Sequence, residues 1–108
     1  MDAPPVRFRV SIVPTIALTG KAASKRITFV IAQIGSETSP YLFEAAVAKE
    51  NMDCCIALRR LGSVVVEVDK ETAQHKGDWQ ARIVSAALRG AFPKPALLEF
   101  DPDRLKLR

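Results

Sequence analysis

From Arg26 to Ile34 the chain reads RITFVIAQI, and no other stretch limits the fold as strongly. Its β-branched and aromatic residues suit a pleated strand. Ile27, Phe29 and Ile31 line one face of that strand, while Val30, Ala32 and Ile34 line the other. Apolar residues on both faces predict a central strand covered on both sides.

Other segments add to a sheet. Val6 to Ile12 alternates strictly, which predicts a half-buried strand with Val6, Phe8, Val10 and Ile12 inward and Arg7 and Arg9 outward. Pro14 ends or edges it, because proline cannot donate to a ladder. Thr15–Thr19 reads as a short second strand and Gly20–Lys25 as a basic connection. Val64–Val68 is a strand by composition. Cys54–Leu61 alternates well enough to pair with it as a hairpin across the Leu61-Gly62-Ser63 turn, with a helix as the competing assignment.

Two helices are expected. Ser39 as N-cap and Pro40 at the first helical position predict one from Pro40 to about Glu50, with Tyr41, Ala45 and Ala48 in its buried stripe, Leu42 and Val47 near it, and Asn51 as its end. Lys70–Gly77 reads as a polar connection. Asp78 then caps a second helix through about Arg89, ended by Gly90, with Trp79, Ile83, Val84 and Ala87 sharing one face. Ala96–Phe100 is a further strand. Leu105 and Leu107 alternate with Arg104, Lys106 and Arg108 in a final edge strand or arm spanning 101–108. The order β-(β)-β-α-β-β-α-β-β defines an α+β domain: one mainly antiparallel sheet with two helices packed on it.

The length of 108 residues matches a single domain over 1–108, with 1–5 as an extended leader. A hydrophobic fraction of 48% excludes low-complexity disorder, and two cysteines exclude a disulfide-built scaffold. Cys54 and Cys55 are adjacent, so they cannot form a relaxed disulfide and read as small buried or half-buried side chains in a reducing compartment. Met1–Arg7 holds an acid and two prolines where a secretory signal needs a basic and then an apolar stretch. The longest apolar run falls far short of the ~20 residues that span a bilayer. The expected setting is intracellular and cytoplasmic, with no membrane.

The net charge of +4 is unevenly spread. Residues 1–35 carry five bases against one acid, a balance of +4. Residues 36–80 carry five against eight, a balance of −3, and residues 81–108 carry six against three, a balance of +3. The bases of the two ends are the candidate contact residues: Arg7, Arg9, Lys21, Lys25 and Arg26 in the first third, and Arg82, Arg89, Arg104, Lys106 and Arg108 in the last. Basic termini around an acidic middle suit charge-guided docking onto a partner or another copy. They also suit non-specific contact with a phosphate backbone. Leu105 and Leu107 are the apolar candidates for a partner surface.

Catalytic motifs fail on their spacing. Gly20-Lys21 lacks the glycine and the hydroxyl of a phosphate loop, since Thr15 and Ala22 stand at those positions. One histidine, His75, and two adjacent cysteines do not make a zinc ligand set. Cys54 or Cys55 with His75 is the sole Cys/His combination, and Glu67 with Asp69 or Asp101 with Asp103 are the carboxylate pairs; a strand face and a turn account for these. No cofactor is expected. The leading expectation is a small non-catalytic structural or adaptor subunit of a larger assembly that docks through its basic terminal strands. A sequence-independent nucleic-acid binder is the alternative, and a small enzyme ranks below both.

Overall fold

The computed structural model describes residues 4–13, 24–48, 51–73 and 79–91. Its elements are β1 (Val6–Ile12), β2 (Ser24–Gln33), β3 (Tyr41–Ala48), α1 (Met52–Leu61), β4 (Val64–Val68), the one-turn α2 (Lys70–Ala73) and α3 (Trp79–Ala91). The four strands form one antiparallel sheet in the order β3-β2-β1-β4, and α1 and α3 pack against it, so the α+β class is as expected.

β1 behaves as its alternation requires. Phe8, Val10 and Ile12 are buried, while Arg7 and Arg9 are exposed. β2 is central, but its two faces are not equally covered. Ile27, Phe29 and Ile31 have no accessible surface, whereas Val30 and Ala32 are only half-buried. Among the described residues the expected double cover is therefore corrected to one covered face and one open face. A central strand shields its outward side chains sideways through both neighbouring strands, which is why apolar residues persist there. Ser24 and Lys25, read as part of a connection, belong to β2.

Two segments exchange roles relative to the local reading. Residues 41–48 form β3 rather than a helix, pairing with β2 from Ser24↔Ala48 to Ile31↔Tyr41. Phe43, Ala45 and Val47 are buried at a period of two, and that pattern wins over the helix-start signal of Ser39-Pro40. The serine stretch instead forms a local turn, in which Thr38 N–H donates to Ser36 Oγ at 3.2 Å, next to Gly35 with φ +84°.

Residues 52–61 form α1 rather than a strand, so the expected 54–61/64–68 hairpin is absent and β4 pairs with β1. Met52, Cys55 and Leu58 recur every three residues on the buried side, and Cys54 joins them. Asp53 in the first turn and Arg59 and Arg60 in the last complement the helix dipole. Asn51, read as a helix end, stands at the helix start and is buried. Gly62 closes α1 at φ +90°, its N–H donating to the carbonyls of Leu58 and Arg59 at 3.0 and 3.2 Å. Only glycine takes that backbone conformation without strain.

Lys70–Ala73, read as part of a polar connection, makes the single turn of α2. α3 runs through Gly90 to Ala91 instead of ending at the glycine. A Cβ at Gly90 would lie 3.4 Å from Val64 Cγ1, so the small residue lets the helix end approach β4 closely. Ile83, Val84, Ala87 and Leu88 are fully buried against α1 and the sheet, while Arg82 and Arg89 are exposed. The expected strands at 15–19, 96–100 and 104–108, and the Asp78 cap, lie outside the described residues.

Among the described residues, one buried side-chain oxygen lacks a partner. Ser85 Oγ is buried in α3 with no hydrogen-bond partner. Burying an unsatisfied hydroxyl is unfavourable, and alanine has the higher helix propensity. Ser85→Ala is expected to raise stability by about 1 kcal/mol, read as a higher urea midpoint at unchanged slope. An unchanged or lower midpoint would show that the hydroxyl is satisfied in solution.

Candidate interaction face

With α1 and α3 packed on one side, these helices leave the other side of the sheet open. Strand register places its residues in rows. Leu42 of β3 lies beside Val30 of β2, which lies beside Ser11 of β1. In the next row Ala32 is followed by Arg9 and Val65, and beyond it Arg7 lies opposite Glu67. At the far end Glu44 lies beside Thr28, with Arg26 on the neighbouring row.

This face mixes apolar and charged residues. Leu42 is 70% exposed on one edge strand beside the half-buried Val30 and Ala32 of β2, and Val65 is 43% exposed on the other edge strand. Arg9 and Ser11 of β1 lie between those two apolar groups. Arg26 forms an exposed ion pair with Glu44, its Nε donating to Oε1 at 2.6 Å. Such solvent-exposed pairs contribute only about 0–1 kcal/mol. Arg7 and Arg9 make no salt bridge among the described residues, although Glu67 is the cross-strand neighbour of Arg7.

The expected contact residues do not all converge. Arg7, Arg9 and Arg26 share the open face, and Lys25 is in β2. Arg82 and Arg89 sit on the outer side of α3, in the helical layer, and so belong to a different surface. Lys21, Arg104, Leu105, Lys106, Leu107 and Arg108 lie outside the described residues. The apolar members Leu42, Val30 and Val65 had no place in the sequence-based contact set. Period-two spacing of Tyr41, Phe43, Ala45 and Val47 was the signal for them, because it turns Leu42 outward.

The cysteines are core residues. Cys54 and Cys55 are free and fully buried. Burial, with Asp53 nearby, pushes the Cys54 thiol up to about 11. Burial, with Cys54 beside it, pushes Cys55 up to about 12. Both therefore stay protonated at neutral pH, whereas nucleophilic cysteine chemistry runs through the thiolate. His75, the other member of the sole Cys/His combination in the sequence, lies outside the described residues. Among the described residues no three His, Cys, Asp or Glu side chains are grouped to hold a metal ion, and no helix is long and apolar enough to cross a membrane.

Fold and face together define an α+β domain built on a four-stranded antiparallel sheet, with helices packed on one side and a surface of mixed apolar and charged residues on the other. Compared with protein-family models, curated proteins and solved structures, the chain matches none.

Proposed function

We propose that this domain is a non-catalytic subunit of a larger assembly and docks another protein through the open face of its sheet. The observation that carries the reading is the exposed Leu42 beside the half-buried Val30 and Ala32, with Val65 exposed across Arg9 on the same face. Burying apolar surface of this kind is the main driving force of protein association. Arg9, between the two apolar groups, and Arg7 beyond it supply steering and register.

A second copy of the chain is the first partner to test. The face carries bases, Arg7 and Arg9, together with acids, Glu44 and Glu67. A two-fold contact can pair unlike charges of the same patch. The nucleic-acid alternative is less well supported. Glu44 and Glu67 interrupt the basic stripe, and among the described residues no aromatic side chain lies on the open face to stack a base.

Light scattering of the purified chain over a range of concentrations tests this. The wild type is expected to show a concentration-dependent rise to at least the dimer mass. Leu42→Lys with Val65→Lys should return it to a monomer with an unchanged far-ultraviolet spectrum, since both residues are exposed. A wild type that stays monomeric removes the self-docking form of the proposal. If the monomer instead binds single-stranded nucleic acid in a salt-dependent manner, and Arg7→Glu with Arg9→Glu abolishes that binding, the nucleic-acid reading replaces it.

A further inference from the structure

At the Arg7 end of the sheet, a cavity of about 560 Å³ lies where the start of β1, the end of β2 and the start of β3 meet α2 and α3. That size is within the range of small-molecule sites, about 300–1,000 Å³. Its wall carries Phe8, Tyr41 and Trp79, three aromatic rings in one continuous contact. Trp79 and Tyr41 meet edge to face at 4.8 Å and 83°, and Trp79 and Phe8 are tilted at 5.8 Å. Phe8 is buried and belongs to the core, but Trp79 is half-buried and Tyr41 is 48% exposed. Core packing therefore does not use up these two rings.

The rest of the wall indicates what could join them. Pro4 and Pro5 form a rigid apolar side. Lys70, at the start of α2, and Arg7 are the charged wall residues, and no carboxylate is among the described ones. An aromatic cage with acidic groups would suit a cation, by attraction to ring faces. Here two positive charges oppose a cation and favour an anion. A flat apolar body against Tyr41 and Trp79, with its negative end toward Lys70, satisfies both halves of the wall.

We propose that this cavity binds a small planar aromatic ligand carrying an acidic group, stacked against Tyr41 and Trp79 and held by Lys70. An aromatic carboxylate and a mononucleotide share that chemistry. Arg7 borders both this cavity and the docking face, so the variants that test the cavity are Lys70 and Tyr41, neither of which belongs to that face, and either proposal can fail alone.

Trp79 is the only tryptophan in the chain, so its emission reports directly on the cavity. The full-length chain is titrated with benzoate and with adenosine monophosphate. Neutral controls are benzyl alcohol and adenosine, and the cationic control is benzyltrimethylammonium. The expected result is a saturable change with at least one anion, and its neutral counterpart binding about tenfold more weakly, as loss of a charged hydrogen bond implies. Which anion saturates distinguishes a carboxylate from a phosphate ester as the natural group. Lys70→Glu, at an exposed position, should weaken the anion about tenfold or more, and Tyr41→Ala should remove saturation while the far-ultraviolet spectrum stays unchanged. Three results would each overturn the proposal: a linear response to both anions, equal binding of the neutral analogue, or undiminished binding by Lys70→Glu.

Discussion

Phe29→Ala is expected to destabilise the domain by about 3–5 kcal/mol, the usual cost of removing a fully buried ring. Among the described residues Phe29 is the largest side chain with no accessible surface, in the central strand β2, and its ladder partners are Ile12 on one side and Phe43 on the other. The strand backbone is held by ladders on both sides, so the void cannot collapse by moving β2 and the cavity cost persists. Against a total stability of roughly 5–15 kcal/mol, the loss leaves the chain near its folding threshold. Urea unfolding followed by far-ultraviolet dichroism measures it. The neighbouring substitution Val30→Ala provides the contrast. Val30 is half-buried on the open face, and its truncation should cost under about 1 kcal/mol in the isolated chain. Equal costs at 29 and 30 would mean that both faces of the sheet are covered, and the docking face would be lost with that result.

Ala57→Pro is expected to cost about 3 kcal/mol or more. Ala57 lies in the middle of α1, where its N–H is one of the donors of the helical ladder. Proline removes that donor and drives its ring into the preceding turn. For a domain of this size the loss lowers the melting temperature by on the order of 15 °C, with a fall in helical dichroism. Ala57→Gly should cost only about 1 kcal/mol, from propensity alone. The pair of variants discriminates between the assignments open to this segment. In the hairpin that the local pattern suggests, residue 57 would sit in the middle of an edge strand, where proline is tolerated when its nitrogen faces away from the partner strand. A mild effect of proline would restore that strand.

The segment 54–61 shows why sequence reading divided here. Cys54, Ile56 and Leu58 fit a two-residue period, while Cys55 and Leu58 fit a helical one, and eight residues are too few for either to dominate. What decides is position in the fold. β3 and β4 are the two edges of the sheet, and residues 49–63 join them. A helix laid on the buried face makes that crossing while burying Met52, Cys54, Cys55 and Leu58.

Of the candidate site, Arg7 and Arg9 were legible, because strict alternation over Val6–Ile12 can orient side chains only one way. Leu42 and the cavity were not. The helical signals of Ser39-Pro40 hid the outward orientation of Leu42. Phe8, Tyr41 and Trp79 are far apart in the chain and meet only because β1, β3 and α3 end at the same corner.

By itself, then, the sequence determined that a sheet with Arg26–Ile34 at its centre would form, that β1 would present its arginines outward, and that the class would be α+β. Those are consequences of local stereochemistry and of side-chain periodicity, which need no knowledge of neighbours. Only the tertiary structure decided which of residues 41–48 and 52–61 became strand and which became helix, which face of β2 the helices cover, and which aromatic rings line a cavity. Each of these depends on burial shared between segments far apart in sequence, and that energy exists only once the chain has closed on itself.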